Sequence, residues 1–371
     1  MKTQIIKLSL LALIAISFVL DPGEGRAQQG YKQPDMAIDA ATRTQVVNAV
    51  LKELNDRYVF PEVAKQMEAN MRQKLAAKEY DSVTSAEEFA KKLTEDLQSV
   101  SKDKHLRVRY SAQTIPVRQR DNEPSAEERA QFENNMKHIN FAFEKVERLP
   151  GNIGYIKFNN FFAPELGAET VAAAMNFVTN TDALIFDLRE NGGGDPEMVA
   201  LICSYLFGDK AVHLNSLYWR EGNKTDDFFT KPTVAGKKYL DKDVYILTAN
   251  RTFSAAEEFT NNLKVLKRAT IIGETTGGGA NPGGVFRVHD HFGVFVPTGR
   301  AINPITKTNW EGTGVEPDVK VSKEMALKTA YLTALNKSLE KTKDEDFKRG
   351  LKEVIERTQK ELDDLKKVAQ K

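Results

Sequence analysis

The stretch VYILTANRTFSAAEEF, residues 244–259, reads in order as a buried strand, a short polar turn and a helix. Val244, Tyr245, Ile246 and Leu247 form an unbroken apolar run of strand length, the pattern of a strand covered on both faces. Ser254 stands where the helix begins. The amides of a first helical turn, together with the macrodipole, favour negative charge there. That suits a hydroxyl attacking a carbonyl, because the developing oxyanion needs backbone donors. The same residues also spell a capping box, Ser254-Ala255-Ala256-Glu257 fitting S-x-x-E. Taken alone, the stretch favours the cap over the nucleophile.

Outward from it, strands and helices alternate. Residues 153–158 and 183–186 have strand character, with a helix over 165–178 between them and another over 196–207. This alternation indicates a layered α/β domain. Residues 284–288 and 293–296 read as a hairpin turning at His289-Asp290-His291-Phe292. The N-terminal side is helical instead. Val46, Val47, Val50, Leu51 and Leu54 recur at helical spacing, and Pro61 opens a second helix. Ser85-Ala86-Glu87-Glu88 is a capping box for a third, which buries Phe89, Leu93 and Leu97. Residues 106–110 then alternate like a strand. Residues 111–145, rich in charge, Pro and Gln, read as a long connection or a charged helix, too poor in alternating apolar runs to hold an inserted β domain. The expected divisions are a leader at 1–27, a helical domain at 38–102, a histidine-bearing strand with its connection at 103–150, an α/β domain at 151–322 and a helical extension at 323–371.

Lys2 and Lys7, an apolar run of 13 residues over 8–20, and Gly25-Arg26-Ala27 have the form of a secretory leader cleaved after Ala27. The run is short for a bilayer span, and no cysteine follows it for a lipid anchor. A periplasmic or secreted protein without stable membrane insertion is expected. The 53 Lys and Arg balance 52 Asp and Glu, and no basic block interrupts them. This argues against nucleic acid and anionic membrane surfaces as partners. A single cysteine, Cys203, excludes an intramolecular disulfide and any zinc or iron–sulfur site built on cysteine. Its apolar neighbours Met198 to Ile202 mark it as buried and inert. Oligomerisation is left open.

Chemistry concentrates in a few places. Gly192-Gly193-Gly194 follows a strand and precedes a helix at Pro196, where exposed amides hold an anion, although the same string serves any tight turn. No Gly-Lys-Ser/Thr follows, so it is not a Walker loop. The second glycine run, 277–284, suits a wall or lid beside a site. Among five histidines, His105 sits in the polar cluster Asp103-Lys104-His105. It is either a base for a serine hydroxyl or a satisfied histidine. His289 and His291 read as turn residues rather than a metal pair. Glu311 is either an exposed turn residue or a carboxylate that orients an imidazole. Nothing requires a metal or organic cofactor.

Seven segments then fall into one ordered set: Asn55-Asp56-Arg57-Tyr58-Val59-Phe60-Pro61, Asp103-Lys104-His105-Leu106, Gly154-Tyr155-Ile156, Phe186 to Gly194, Thr252 to Phe259, Gly273 to Gly278 and Glu311 to Asp318. The set resembles the C-terminal-processing and tricorn-type serine peptidases, above all the branch with the interphotoreceptor retinoid-binding protein modules. The resemblance implies an α/β fold with a crotonase-like ββα core, a small N-terminal helical domain and serine peptidase chemistry. By it Ser254 is the nucleophile, His105 the base and Glu311 the supporting carboxylate. Amides of the Gly192–Gly194 loop, Gly193 first, and of Ala255 are the implied oxyanion donors. Two departures stand out. Gly279 occupies the place of the lysine in Ser-Lys dyad enzymes, and no PDZ domain is present to deliver a substrate tail. Lys104 also precedes the histidine where tricorn-type sites have a serine. The expected function is an exported endopeptidase acting on extended or unfolded polypeptides. The rival expectation is a module binding a small apolar, retinoid- or lipid-like ligand.

Overall fold

The structure, a computed structural model, describes residues 33–117 and 125–369, and the expected leader lies outside them. In chain order the helices are α1 (Ala40–Arg57), α2 (Pro61–Ala76), α3 (Ala86–Ser101), α4 (Ala126–His138), α5 (Pro164–Val178), α6 (Pro196–Ser204), α7 (Ala255–Val265), α8 (Lys323–Lys341) and α9 (Glu345–Ala369). The strands are β1 (Arg107–Tyr110), β2 (Phe143–Leu149), β3 (Ile153–Phe158), β4 (Ala183–Asp187), β5 (His213–Trp219) and β6 (Lys224–Phe229). They continue as β7 (Asp243–Thr248), β8 (Thr270–Gly273), β9 (Gly283–His289), β10 (Phe292–Pro297), β11 (Gly299–Ile302) and β12 (Val319–Lys320). The chain falls into two units. The first takes the described residues up to Ser125 with Leu217–Asp226 and Asn281–Ala301; the second takes Ala126–Ser216, Asp227–Ala280 and the described residues from Ile302 onward.

In the first unit each helix starts where its sequence signals it. Asp39 accepts from Thr42 N–H (2.8 Å) ahead of α1, Pro61 stands in the first turn of α2, and Ser85 accepts from Glu88 N–H (3.0 Å) ahead of α3. β1 pairs antiparallel with β10, and β10 with β9. Val46, Val50, Leu54, Phe89, Leu93 and Leu97 from the helices share one core with Val108, Phe292, Val294 and Val296 from the strands. The expected hairpin is therefore present, but it belongs with the helices and not inside a contiguous 151–322 segment. The reason is physical: alternate residues of β10 complete the helical core, and β1 offers the pairing edge.

The second unit is built on a six-stranded sheet of order β12-β8-β7-β4-β3-β2, parallel except for the antiparallel β2. Side chains alternate across it. Ile156, Phe158, Leu184, Phe186, Ile246 and Ile271 meet α5, α6 and α7 through Val171, Met175, Met198, Ile202, Phe259 and Leu263. Tyr155, Ile185, Tyr245, Leu247 and Ile272 meet α8 and α9 through Ala330, Tyr331, Leu335 and Leu351. Burial on both faces explains the unbroken apolar runs. The layering is crotonase-like, with the two C-terminal helices covering one face of the sheet.

Some elements differ from expectation. β2 lies where a connection was expected; its Glu144, Lys145, Glu147 and Arg148 mask the strand period, as charged residues on an edge strand do. α6 stops at Ser204, closed by a tight last turn in which Leu206 N–H donates to Cys203 O (2.8 Å). β5, β6 and β11, which form a further sheet of order β11-β5-β6, carried no expectation. Cys203 is buried. No helix among the described residues is long and apolar enough to cross a membrane.

Candidate active site

β7 delivers the chain to a turn that holds itself. Thr252 Oγ1 donates to Leu188 O (2.8 Å) and accepts from Ala249 N–H (3.0 Å), and Phe253 N–H donates to Asn191 O (3.1 Å). Ser254 follows at φ +54° and ψ −121°, a conformation that a side chain ordinarily avoids. Such residues cost on the order of 1–3 kcal/mol and persist only where the surroundings over-determine them. A sharp, strained strand-to-helix turn is also how a nucleophilic serine is lifted clear of its sheet. α7 begins at Ala255, whose N–H belongs to the first helical turn and has no partner one turn back.

The capping box exists as well. Ser254 N–H donates to the Glu257 carboxylate (2.9 Å), and Glu257 N–H is directed to the Ser254 carbonyl (2.9 Å). Both halves of the box are present, so the Ser254 side chain also faces the Glu257 N–H. A cap of this kind and an attacking hydroxyl are compatible, since the bonds at the Ser254 backbone hold the turn without the hydroxyl.

The glycine loop is anchored at the end of β4. Asp187 accepts from Arg189 Nε (2.8 Å) and Nη2 (2.6 Å) and from Tyr155 Oη (2.6 Å). Burial pushes this carboxyl up, but the guanidinium and the phenol outweigh it and hold it below the usual range. Gly193, at φ +107°, lies directly against the serine: a Cβ there would come within 2.7 Å of Ser254 Cβ and 2.9 Å of Ala255 N. Only glycine keeps that space open. The amides are less free than expected. Gly192 N–H donates to Asn159 O (3.2 Å) and Gly193 N–H to Asn191 Oδ1 (2.9 Å). Both of these amides are thus engaged within the protein.

Glu311 lies in the same unit, on a loop laced to residues 278–280. Its Oε2 accepts from Ala280 N–H (2.6 Å), Trp310 Nε1–H donates to Gly279 O (2.8 Å), and Gly312 N–H donates to Gly278 O (3.0 Å). Gly279 is therefore a backbone strut in this loop. Glu257 is the residue whose part the sequence understated. It is fully buried, and besides Ser254 N–H it accepts from Thr276 Oγ1 (2.5 Å), Gly278 N–H (2.6 Å) and Gly279 N–H (2.8 Å). Burial lifts its carboxyl to about 7 against the pull of these donors.

His105 belongs to the first unit. It follows the left-handed Lys102 that ends α3 (φ +59°) and stacks on Phe295, with ring centroids 5.7 Å apart. The buried Asp103 sets this turn: Oδ1 accepts from His105 N–H (3.0 Å), and Oδ2 accepts from Tyr58 Oη (3.2 Å) and Asn281 Nδ2 (2.9 Å). Burial raises the Asp103 carboxyl and, with Arg107 adding a lesser repulsion, depresses the His105 imidazole to about 3. The Asp-x-His spacing was the one signal for Asp103. His289 and His291 border the hairpin turn, as read, with the His291 Nδ1 3.0 Å from Ser111 O.

Comparison with known proteins accords with this arrangement. Residues 152–321 match the model of peptidase family S41, and residues 39–147 match the model of the N-terminal domain of that family in eukaryotic IRBP. The chain is 29% identical over 185 residues to carboxyl-terminal-processing peptidase 1, chloroplastic, of Arabidopsis thaliana, a match covering 49% of this chain and 36% of that protein. The matched part is thus little more than a third of the relative's length. Among solved structures, one from Parabacteroides merdae ATCC 43184, provisionally described as a peptidase, superposes with a TM-score of 0.53 at 18% identity, over 76% of this chain and 90% of that one. A lipoprotein from Streptococcus agalactiae gives 0.50 at 15% identity, over 83% and 99%. At these identities the two structures speak to the fold alone. The two family models between them take in both the helical N-terminal part and the sheet that carries Ser254: the chain belongs to peptidase family S41.

Proposed function

We propose that this chain is an exported serine endopeptidase that cleaves extended or unfolded polypeptides. The observation that carries the reading is the conformation of Ser254, a strained non-glycine residue at the start of α7 with Gly193 packed against it. In this reading Ser254 Oγ attacks the scissile carbonyl while His105 takes its proton, and Glu311 stabilises the imidazolium that forms. An imidazole held far below its ordinary value is neutral at pH 7 and so able to accept a proton. Its depressed basicity is the reason it needs a carboxylate partner when charged. The tetrahedral oxyanion is received by Ala255 N–H with help from the glycine loop. Collapse of the intermediate expels the new amino terminus, which takes the proton from His105, and water then hydrolyses the Ser254 ester to free the other fragment and restore the hydroxyl. A substrate would add its main chain to a strand edge, which selects extended segments over folded ones. The leader reading adds cleavage after Ala27 and residence outside the cytoplasm.

The test is digestion of an unfolded protein mixture by the mature chain, with new termini read by mass spectrometry and Ser254→Ala run beside it. Termini that appear with the native chain and vanish with the variant support the reading. Silence from both folded proteins across several substrates overturns it and favours binding of a small apolar ligand. Sequencing the amino terminus of the exported protein checks for Gln28.

A further inference from the structure

Glu257 makes more bonds than a helix cap requires. A capping box asks of its third residue one hydrogen bond, to the N-cap amide. Here both carboxylate oxygens are filled: Oε1 by Thr276 Oγ1 and Gly278 N–H, Oε2 by Gly279 N–H and Ser254 N–H. Three of these four donors come from a loop that is not part of the helix. All four are neutral, so above the raised value of about 7 the buried charge is held by directed dipoles rather than by an ion pair. The loop continues the chain of bonds. Thr276 Oγ1 accepts from Val315 N–H (2.7 Å), Gly279 O accepts from Trp310 Nε1–H (2.8 Å), and Ala280 N–H donates to Glu311 Oε2 (2.6 Å).

From this connectivity we infer that Glu257 is a positioning residue, which clamps the strained Ser254 turn to the 276–280 loop and so sets Ser254 and Glu311 relative to one another. The inference rests on the peptidase reading for its catalytic consequence. The clamp answers two structural questions at once. A conformation such as that of Ser254 needs neighbours that over-determine it, and Glu257 fixes its amide from a second loop. The loop itself, with Gly277, Gly278 and Gly279 in succession, has little side-chain packing to hold it and takes its shape from the carboxylate.

The variant Glu257→Gln keeps the shape but turns one acceptor oxygen into a donor, facing amides that are also donors. Two measurements on the mature full-length chain decide the matter. Amide hydrogen exchange is followed in the peptides covering 250–256 and 274–282, and the rate at which a fluorophosphonate modifies Ser254 is compared with kcat and KM on a peptide substrate. The expected result is exchange about tenfold faster in those two peptides alone. Labelling and kcat should fall by about tenfold or more, with KM nearly unchanged, as for a group that acts on the geometry of the reacting residues. Unchanged exchange overturns the clamp. Faster exchange with unchanged labelling overturns its positioning role. A wild-type chain that folds but is never labelled at Ser254 overturns the peptidase reading and the catalytic role with it, while the exchange result still decides whether the clamp exists. Should Glu257→Gln fail to fold, Thr276→Val removes one of the four donors, together with the acceptor of Val315 N–H, and leaves the carboxylate in place. A smaller change of the same sign supports the proposal, and no change overturns it.

Discussion

Ser254 is asked to be two things, a helix cap and, in the proposed reaction, a nucleophile, and its backbone shows the cost. At φ +54° and ψ −121° a Cβ is an encumbrance, so removing it should relieve strain even as the hydroxyl is lost. Ser254→Ala and Ser254→Gly are both expected to be inactive, with the glycine variant more stable than the alanine variant by about 1 kcal/mol in denaturant unfolding. Glycine is also the better N-cap of the two, so equal stabilities, or an alanine variant the more stable, would mean the strain is absent. His105 and Glu257 make a second prediction, because their shifts have opposite signs. The His105 imidazole sits at about 3 against an ordinary 6.5, so between these values the unfolded chain holds the extra proton. Its contribution to stability is present above about pH 6.5 and is lost as the pH falls toward 3. Glu257 sits at about 7 against 4.5, so the folded chain holds the extra proton in that interval. Its contribution is present below about pH 4.5 and is lost as the pH rises through 7. Unfolding free energies measured from pH 4 to 8 should therefore lose part of their acid-side fall in His105→Gln and part of their neutral-side fall in Glu257→Gln. A matched pH dependence in wild type and both variants would refute the assignment.

At the scale of elements, two strand ends, β4 and β7, release their chains so that the glycine loop and the serine turn touch, the contact on which the proposed reaction depends. Gly193→Ala tests that contact. Its new Cβ would meet Ser254 Cβ at 2.7 Å and Ala255 N at 2.9 Å, in a backbone conformation (φ +107°) that alanine resists. We expect a folded protein, destabilised by about 1–3 kcal/mol, in which the reaction of Ser254 with a fluorophosphonate is lost. Undiminished labelling would show that this space is not used in the reaction. The same elements show what a sequence reveals and what it hides. The strand, turn and helix over 244–259 are legible because burial on both faces leaves an unbroken apolar run and because caps are local. β2 was hidden because its exposed edge is charged. Glu257 was legible only as a cap: its i to i−3 bond to Ser254 is local, whereas its bonds to Thr276, Gly278 and Gly279 join a loop that no periodicity connects to it. His105 stood out for its polar cluster with Asp103, and Glu311 as a turn carboxylate, but only the family resemblance weighted either of them toward chemistry.

For the whole molecule, the question is what folds by itself. The N-terminal helices look like an independent domain in sequence, yet their core is not closed by their own segment. Phe292, Val294 and Val296 are completely buried against Phe89, Leu93 and Val108, and they come from the Asn281–Ala301 segment. Leu217–Asp226 adds Arg220, whose guanidinium donates to Tyr58 O (2.8 Å) and Asn55 O (3.0 Å) at the end of α1, where helix carbonyls want a cation. A fragment of residues 33–117 thus lacks three large apolar side chains from its core. Each fully buried side chain of this kind is worth about 1.5–3 kcal/mol, so their joint loss rivals the whole stability of a small domain, about 5–15 kcal/mol. The fragment is expected to show helical circular dichroism without a cooperative melt, and a synthetic hairpin of residues 281–301 added in excess should sharpen the transition. A fragment that melts cooperatively unaided would mean the three helices and β1 suffice, and the division of the chain would then follow the sequence segments after all. Failure of the hairpin to act, with the fragment monomeric and the peptide soluble, would place the missing stability in Arg220 and its segment instead.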